Sequence, residues 1–229
     1  MDLRIKRNII PTRLLTAIVA LIFSMSVSAQ VSEPFDPSGD PYPDYLEEIY
    51  MDMDFEPNLA TPVVPKTALK ALSEYQIRQA KQLMHRMTVD MFRDDDVFVV
   101  SIPSDDLFLP NDTLLSKYAH ESLSPLLPLM KDPYKYKIVV AVHTDDTGSE
   151  EYREDLSRER LNSIYDWMMD EIDKGQISED IIIIPFSMAS NDPIVENDTR
   201  DHRQENRRVE FYFVPGPELI RQAESGQLK

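Results

Sequence analysis

The 229-residue chain carries 41 acidic and 24 basic residues, a formal net charge of −17, which argues against binding to DNA, RNA or an anionic lipid surface. Hydrophobic residues make up 42% of the sequence, enough for a folded core, and the length suits one ordinary domain with appendages. Cysteine is absent, so the sequence offers no disulfide, no thiolate nucleophile, no cysteine-bound zinc and no cysteine for lipid attachment.

Residues 1–29 have the pattern of a secretory signal peptide. Four basic residues precede the apolar run LLTAIVALIFSM, and the small residues of SVSAQ follow it. The run is shorter than the roughly 20 apolar residues that a membrane span usually needs, so we expect cleavage after Ala29. An uncleaved N-terminal anchor is the alternative, and export to a periplasm or beyond follows in either case.

Residues 30–65 are predicted to form an extended, proline-rich acidic linker or arm. The segment contains nine acidic residues, seven prolines and no basic residue. Like-charge repulsion and the missing proline N–H donors both oppose a packed core. Aromatic side chains within the arm leave open a second possibility, that it docks on a partner or folds back on the domain. The aromatic residues are Phe35, Tyr42, Tyr45, Tyr50 and Phe55.

The rest of the chain alternates between helical and extended patterns. Apolar residues recurring at three- to five-residue steps predict a helical lead-in over residues 66–95. The predicted strands are then DVFVVSIP, KYKIVVAVH, IIIIPFSM and RRVEFYFV. Helices are predicted over residues 113–130, where Pro125 and Pro128 bend or end the helix early, and over 149–174, before Gly175.

This order of elements predicts an α+β domain over residues 96–215. Strand–helix–strand–helix–strand–strand implies a mixed sheet with helices packed on one face. The extra helix and the acidic arm precede this domain, and a C-terminal tail of residues 216–229 follows it.

The stretch HTDDTGSEEYREDLSRER, residues 143–160, follows the second predicted strand, at the end where binding sites of α/β sheets gather. Asp145 and Arg160 are expected to face a common groove. They either form an ion pair that only pins the loop or receive a zwitterion, with the aspartate on an ammonium and the arginine on a carboxylate. A third hypothesis is a hydrolase that uses Asp145 and Asp146 with His143. No metal-ligand, nucleophile or dinucleotide motif accompanies these residues, so we expect no metal, cofactor or catalysis.

Three segments resemble the OmpA-like (OmpA/MotB C-terminal type) peptidoglycan-binding domains. HTDDTGSEEYREDLSRERLNSI is similar to a family signature in which a G-H-T-D-x-x-G turn leads to N-x-x-L-S-x-x-R-A-x-x-V. NDPIVENDTRDHRQENRRVEFYF resembles the family's ending, and VFVVSIPSDDLFLPNDTLL resembles its first strand and loop. The resemblance covers about residues 96–214, in the family's order and spacing, and implies its βαβαββ fold.

The resemblance implies non-covalent binding to the diaminopimelate residue of the peptidoglycan stem peptide. Asp145 and Arg160 match the turn aspartate and helix arginine that hold the ammonium and carboxylate of that residue. Thr144 matches the turn threonine, and Asn111 falls in the first loop. Asn206 and Arg207 match the start of the N-R-R-V segment. The neighbouring Arg208 and Glu210 are expected to point toward solvent or the helices.

The sequence departs from the family pattern at several positions. Val142 and Leu161 replace a glycine and an alanine, and Ser187 and Ala189 replace glycines near the third strand's end. Arg153 replaces an asparagine, so it either adds a contact to an acidic ligand or pairs with Asp145 and closes the site.

Two functions follow from these expectations. The first is a periplasmic protein that tethers an envelope component to peptidoglycan and contacts an envelope or outer-membrane protein through its arm or helix. It would have no direct membrane span after cleavage and would associate with the outer membrane only through its partner. The alternative is a degenerate domain that has lost the ligand site and serves as an interaction component of an envelope or secretion assembly.

Overall fold

The computed structural model describes residues 44–62, 64–92 and 96–228. The predicted signal peptide and residues 30–43 of the arm lie outside the described residues. Among the helices that the model does describe, none is long and apolar enough to cross a membrane.

A five-stranded mixed sheet forms the centre of the described chain. In spatial order it runs β1-β2-β5-β3-β4, with β3 parallel to β4 and every other neighbouring pair antiparallel. The strands are β1 Thr88–Phe92, β2 Val97–Pro103, β3 Tyr136–His143, β4 Ile183–Ala189 and β5 Arg208–Pro215. Every residue of β3 and β5 is buried, as expected for β-branched and aromatic runs in central strands. The four predicted strands and the mixed α+β sheet are confirmed.

Helices cover the first face of the sheet. The described helices are α1 Asp44–Asp52, α2 Phe55–Asn58, α3 Lys66–Leu83, α4 Ser104–Leu107, α5 Ala119–Leu123, α6 Glu150–Asp173, α7 Arg200–Asn206 and α8 Pro217–Glu224, with a 3₁₀ helix at Ser124–Met130. Alternate strand residues such as Phe98, Val140 and Phe211 point to this face and join one hydrophobic core with α3, α6 and α8.

The long helix α6 matches its prediction closely. Ser149 caps its N-terminus by accepting the Tyr152 N–H at 3.2 Å. Gly175, at φ +69°, terminates it by donating its N–H to the Ile172 carbonyl at 2.8 Å, a conformation that glycine adopts with little strain. Leu161 is buried in the core beside Ile164 and Met168, so the family's alanine is replaced by a residue that fills core volume.

The helical lead-in is shorter than the prediction of residues 66–95. Helix α3 ends at Leu83, and Thr88–Phe92 pairs antiparallel with β2, Thr88 opposite Ser101 and Phe92 opposite Val97. In TVDMF the buried Val89 lies between the exposed Thr88 and Asp90, so the segment also fits a strand. The local spacing of apolar residues fits both a helix and a strand, and it carries no information about which strand lies nearby. Pairing with the free edge of β2 selects the strand.

Two further segments differ from expectation. Residues 113–130 contain only a short α-helix and the 3₁₀ helix with Pro125 and Pro128, since each proline removes a backbone donor. The predicted tail contains α8, whose Leu219, Ile220 and Ala223 are buried against the core.

The described part of the arm is folded rather than extended, and it covers the second face of the sheet. Phe55 makes edge contacts with Phe186 and Tyr212 at centroid distances of 5.2 and 5.6 Å. Leu59 is only 1% exposed. Apolar strand residues on this face need cover from water, and the arm's aromatic and apolar side chains supply it. The helices therefore lie on both faces of the sheet, not on one.

The same cover buries a lysine. Lys137 Nζ lies 3.8 Å from the Tyr50 ring centroid and donates to Asn58 Oδ1 at 3.3 Å. Burial lowers its pKa to about 8, because a low-dielectric environment disfavours the ammonium form.

Candidate functional site

The turn after β3 carries the predicted aspartate. The Thr144 N–H donates to the Ala189 carbonyl at 2.7 Å, so the turn is tied to the end of β4. The buried Thr144 hydroxyl donates to the Asp145 carbonyl at 3.0 Å. Gly148, at φ +89°, completes the turn where a Cβ would come within 2.7 Å of the Tyr152 ring. These contacts fix the backbone that presents Asp145.

Asp145 is an ionised, largely buried carboxylate. Its residue is 7% exposed, Oδ1 accepts the Thr147 N–H at 2.9 Å and Oδ2 accepts Arg207 Nη1 at 2.7 Å. Burial alone raises the pKa of Asp145, but the hydrogen bonds from Arg207 and Thr147 outweigh it and bring the pKa below its ordinary value.

Arg160 is a buried cation with an unused donor. It is 4% exposed, Nε donates to the Asp112 carbonyl at 3.0 Å, and the guanidinium carbon lies 4.8 Å from the Phe108 ring centroid. Within the described residues, Nη1 is buried and has no hydrogen-bond partner. Burial lowers the pKa of Arg160, yet a guanidinium stays protonated at any physiological pH.

Arg207 links two carboxylates. Besides its bond to Asp145, its Nη2 lies 3.3 Å from Asp105 Oδ2. The ion pair at the site is therefore Asp145–Arg207, and the described residues record no bridge between Asp145 and Arg160. Of the two roles expected for Asp145 and Arg160, the ion pair between them that only pins the loop is therefore absent from the described contacts, and their role in binding a zwitterion stays a prediction.

Asp105 was missed by the sequence reasoning. It follows β2, and the β2–β5 register sets Pro103 opposite Arg208. The antiparallel pairing of these two strands is the signal that could have found it, because the pairing brings the first residues after the end of β2 beside Arg207, which precedes β5.

The remaining predicted site residues have different surroundings. Asn111, at φ +58°, is exposed and its Oδ1 accepts from the Tyr152 hydroxyl at 3.4 Å. Asn206 is fully buried and uses its amide to hold the loop that precedes α7: Oδ1 accepts from Ile194 N and Val195 N, and Nδ2 donates to Val195 O and Asn197 Oδ1.

Arg153 fastens the turn and does not pair with Asp145. Its Nη1 donates to the carbonyls of Gly148 at 2.7 Å and Asp146 at 3.2 Å. Of the two outcomes expected for this departure from the family pattern, closure of the site by an Arg153–Asp145 pair is absent from the described contacts.

The glycine replacements are accommodated in two ways. Val142 is fully buried in the core. Ala189 has φ +46°, a left-handed conformation that costs a residue with a Cβ more than it costs glycine. Ser157 supports that bend, because its hydroxyl accepts the Ala189 N–H at 3.1 Å and lies 2.7 Å from the Ser187 hydroxyl.

The residues of the hydrolase hypothesis are not grouped at one site. His143 Nε2 lies 3.0 Å from Glu210 Oε2, whereas Asp146 Oδ1 accepts from Arg203 Nε at 3.1 Å. In the part of the chain that the structure describes, no three histidine or acidic side chains are grouped as metal ligands.

Comparison with known proteins gives a match to a family model. The model described as the OmpA family matches residues 107–207. The chain is 22% identical over 143 residues to the probable lipoprotein YiaD of Escherichia coli (strain K12), an alignment covering 62% of this chain and 63% of that protein. The chain thus spans less than two thirds of that relative's length.

Two solved structures superpose on the chain. A crystal structure of a putative MotB-like protein from Desulfovibrio vulgaris has a TM-score of 0.49 at 20% identity, covering 65% of this chain and 92% of that one. The cell wall anchor of the T6SS from Pseudomonas aeruginosa has a TM-score of 0.45 at 20% identity, covering 63% and 96%.

Proposed function

Because residues 107–207 belong to the OmpA family, we propose that this chain is a non-catalytic, cell-wall-associated envelope protein whose domain binds peptidoglycan non-covalently. The ligand is the free zwitterionic end of diaminopimelate in the stem peptide. Asp145 takes its ammonium group and Arg160 its carboxylate. Thr144 and Arg207 border the same position, while Asn111 contributes from the first loop and Asn206 holds the loop behind it.

The unused donor of Arg160 is the observation that carries this proposal. A buried charge costs several kcal/mol unless it is paired, and in the part of the chain that the structure describes the Arg160 guanidinium has one hydrogen-bond acceptor, a backbone carbonyl. A ligand carboxylate would supply the missing acceptor in the bidentate geometry that arginine favours.

The state of Asp145 supports the other half of the recognition. Its lowered pKa keeps the carboxylate ionised at neutral pH, and a buried carboxylate attracts an ammonium more strongly than an exposed one does. Opposite charges on the turn and on α6 then fit a group that carries both signs, and they disfavour ligands that carry only one.

Sedimentation with purified sacculi tests the proposal. The chain should pellet with sacculi that contain diaminopimelate, and Asp145→Asn and Arg160→Met should each weaken binding roughly tenfold to a hundredfold, since each leaves one ligand charge unpaired. Sacculi whose diaminopimelate carboxyl is amidated should bind the wild-type chain weakly for the same reason.

Asp146→Asn is the matched control. It removes the same charge from the adjacent residue, whose carboxylate is half-exposed and paired with Arg203, so binding should change less than about twofold. A wild-type chain that stays in the supernatant at low salt would refute the proposal. Full binding by both site variants would mean that the ligand binds at another place on the chain.

One observation favours a second candidate, a domain that keeps the fold without binding the wall. Arg207 already occupies Asp145 Oδ2 at 2.7 Å, so a cation of the chain stands where the ligand ammonium would bind. In that case the chain serves as an interaction component of an envelope assembly, and the sedimentation assay shows no binding.

The location and partner are part of the proposal. The predicted leader at residues 1–29 would deliver the chain to the periplasm. The relative's name includes the word lipoprotein, but this sequence has no cysteine to carry a lipid. We therefore attribute any outer-membrane association to a protein partner bound through the arm or the lead-in helix. Pull-down from envelope extracts with and without residues 30–43 tests this and leaves the described part of the arm intact.

A further inference from the structure

We propose that Arg207 is a movable cation of the site and that Asp105 is its second partner, which holds Arg207 when a ligand ammonium takes Asp145. The inference rests on the proposed function, since it concerns how the zwitterion enters that site. Asp105 lies outside the residues matched by the family model.

Both partners of Arg207 are already in contact with it. Nη1 lies 2.7 Å from Asp145 Oδ2, and Nη2 lies 3.3 Å from Asp105 Oδ2. The Asp145 side chain is 10% exposed and that of Asp105 is 47% exposed. Arg207 therefore reaches from the interior of the site to its rim. A small rotation of its side chain lengthens the contact with Asp145 and shortens the contact with Asp105.

A ligand ammonium competes directly with Arg207. Oδ1 of Asp145 accepts the Thr147 N–H and Oδ2 accepts Arg207, so an entering ammonium shares the carboxylate with the Arg207 cation. Burial is the main cause of the lowered pKa of Arg160, and repulsion between Arg160 and Arg207 adds to it. A third cation beside them raises the local repulsion, which favours outward movement of Arg207.

The backbone keeps Asp105 within reach of Arg207. The Ser104 N–H donates to the Arg207 carbonyl at 2.9 Å, as a continuation of the pairing between β2 and β5. The residue that follows Ser104 is therefore held beside Arg207 whichever way the arginine side chain turns. Asp105 also keeps the site electrically balanced, with two arginines facing two aspartates before the zwitterion arrives.

The first test needs no ligand. Asp145→Asn removes the charge that a bound ammonium would neutralise, and ¹⁵N NMR of the full chain reports rotation of the Arg207 guanidinium. The signal is assigned by its loss in Arg207→Gln. Rotation should remain slow in Asp145→Asn, because Asp105 still holds the group, and become fast in Asp105→Asn/Asp145→Asn. Fast rotation in Asp145→Asn alone overturns the inference.

The second test is a binding cycle with the soluble stem tripeptide L-Ala-γ-D-Glu-meso-diaminopimelate. Asp105→Asn should weaken binding roughly 5- to 30-fold, and it should have less than about a twofold effect when Arg207→Gln is already present, since Asp105 acts through Arg207. Asp106→Asn removes the same charge from the next exposed residue, with no described contact to Arg207, and should change binding less than about twofold.

The outcomes separate the two proposals. Equal losses in Asp105→Asn and Asp106→Asn, or an undiminished Asp105→Asn effect in the Arg207→Gln background, overturn the role of Asp105 and leave peptidoglycan binding intact. A wild-type chain that fails to bind both tripeptide and sacculi overturns the proposed function, and the ligand-driven exchange with it.

Discussion

The protein contains two charged clusters that draw on neighbouring residues of the same chain segments. The two clusters differ in how completely their buried arginine is hydrogen-bonded. We call the first the closed cluster: His143, Arg208, Glu210 and Tyr212, buried on the second face of the sheet. We call the second the open cluster: Asp105, Asp145, Arg160 and Arg207, at the end of the sheet. Arg207 and Arg208 are adjacent in sequence, yet each belongs to a different cluster.

The closed cluster satisfies its arginine completely. Arg208 Nε donates to Glu210 Oε1 at 2.8 Å, Nη1 to the Asn206 carbonyl at 3.3 Å and Nη2 to the Asp192 carbonyl at 3.2 Å. The Tyr212 hydroxyl donates to Glu210 Oε2 at 2.8 Å. Arg208 and Glu210 are thus buried in mutual contact, contrary to the expectation that they point toward solvent or the helices.

The open cluster leaves its buried arginine incomplete. Among the described residues, Arg160 has one carbonyl acceptor and its Nη1 has no partner, at a burial similar to that of Arg208. The difference teaches that buried charge does not by itself mark a binding site. A buried arginine whose donors all have acceptors within the chain stabilises the fold, whereas one with an unpaired donor has free energy to gain from a ligand.

Breaking the closed cluster should have the largest effect. Glu210→Gln leaves Arg208 and His143 without their carboxylate, and loss of one member of a buried ion pair costs about 3–5 kcal/mol of unfolding free energy. Chemical denaturation measures this. The exposed Glu205→Gln, in the preceding helix, is the control and should stay within about 0.5 kcal/mol of wild type.

The same carboxylate predicts a pH dependence. Burial opposes its ionisation, but His143 and Arg208 bring the pKa of Glu210 from 4.5 down to about 2. A carboxyl group with a depressed folded-state pKa stabilises above its unfolded pKa and loses that contribution as pH falls. Wild type should lose about 3 kcal/mol from this group between pH 5 and pH 2. A slope equally steep in Glu210→Gln would assign the acid sensitivity to other carboxylates.

Arg160→Met should separate stability from binding. The methionine replaces an incompletely paired buried charge with an apolar side chain against Phe108, so the unfolding free energy should stay within about 1 kcal/mol of wild type or rise. Binding to sacculi should still fall at least about tenfold. A loss of stability as large as that of Glu210→Gln would mean that Arg160 is structural, and the contrast between the two clusters would disappear.

Removing a contact between the arm and the second face of the sheet should cost less stability than breaking the closed cluster. Phe55→Ala removes the half-buried ring that contacts Phe186 and Tyr212 and should cost about 1–2 kcal/mol of unfolding free energy. Met51→Ala, an exposed apolar residue of the same arm, should change it by less than about 0.5 kcal/mol. Identical values for the two variants would show that the arm contributes nothing to the domain's stability.

Most of the central fold could be predicted from local patterns. The β-branched runs of β3 and β5, and the capped, glycine-terminated helix α6, carry their own signals of period, start and stop. Two of the predictions that were wrong are the helix over Thr88–Phe92 and the extended arm, and in both cases pairing or packing overrides the local pattern. Thr88–Phe92 takes its structure from pairing with β2, the next strand along the chain. The arm takes its structure from a face of the sheet that exists only after distant strands have paired.

The candidate site also has one part that the local sequence predicts and one part that only the tertiary structure sets. The residues of HTDDTGSEEYREDLSRER bring a turn aspartate and a helix arginine to one end of the sheet, because strand–turn–helix geometry is local and the residue spacing determines it. Which cation pairs with Asp145 depends on Arg207, 62 positions away, and on the pairing of β3 with β5. Charge pairing is decided by distances of a few ångströms between remote segments, and only the tertiary structure sets those distances.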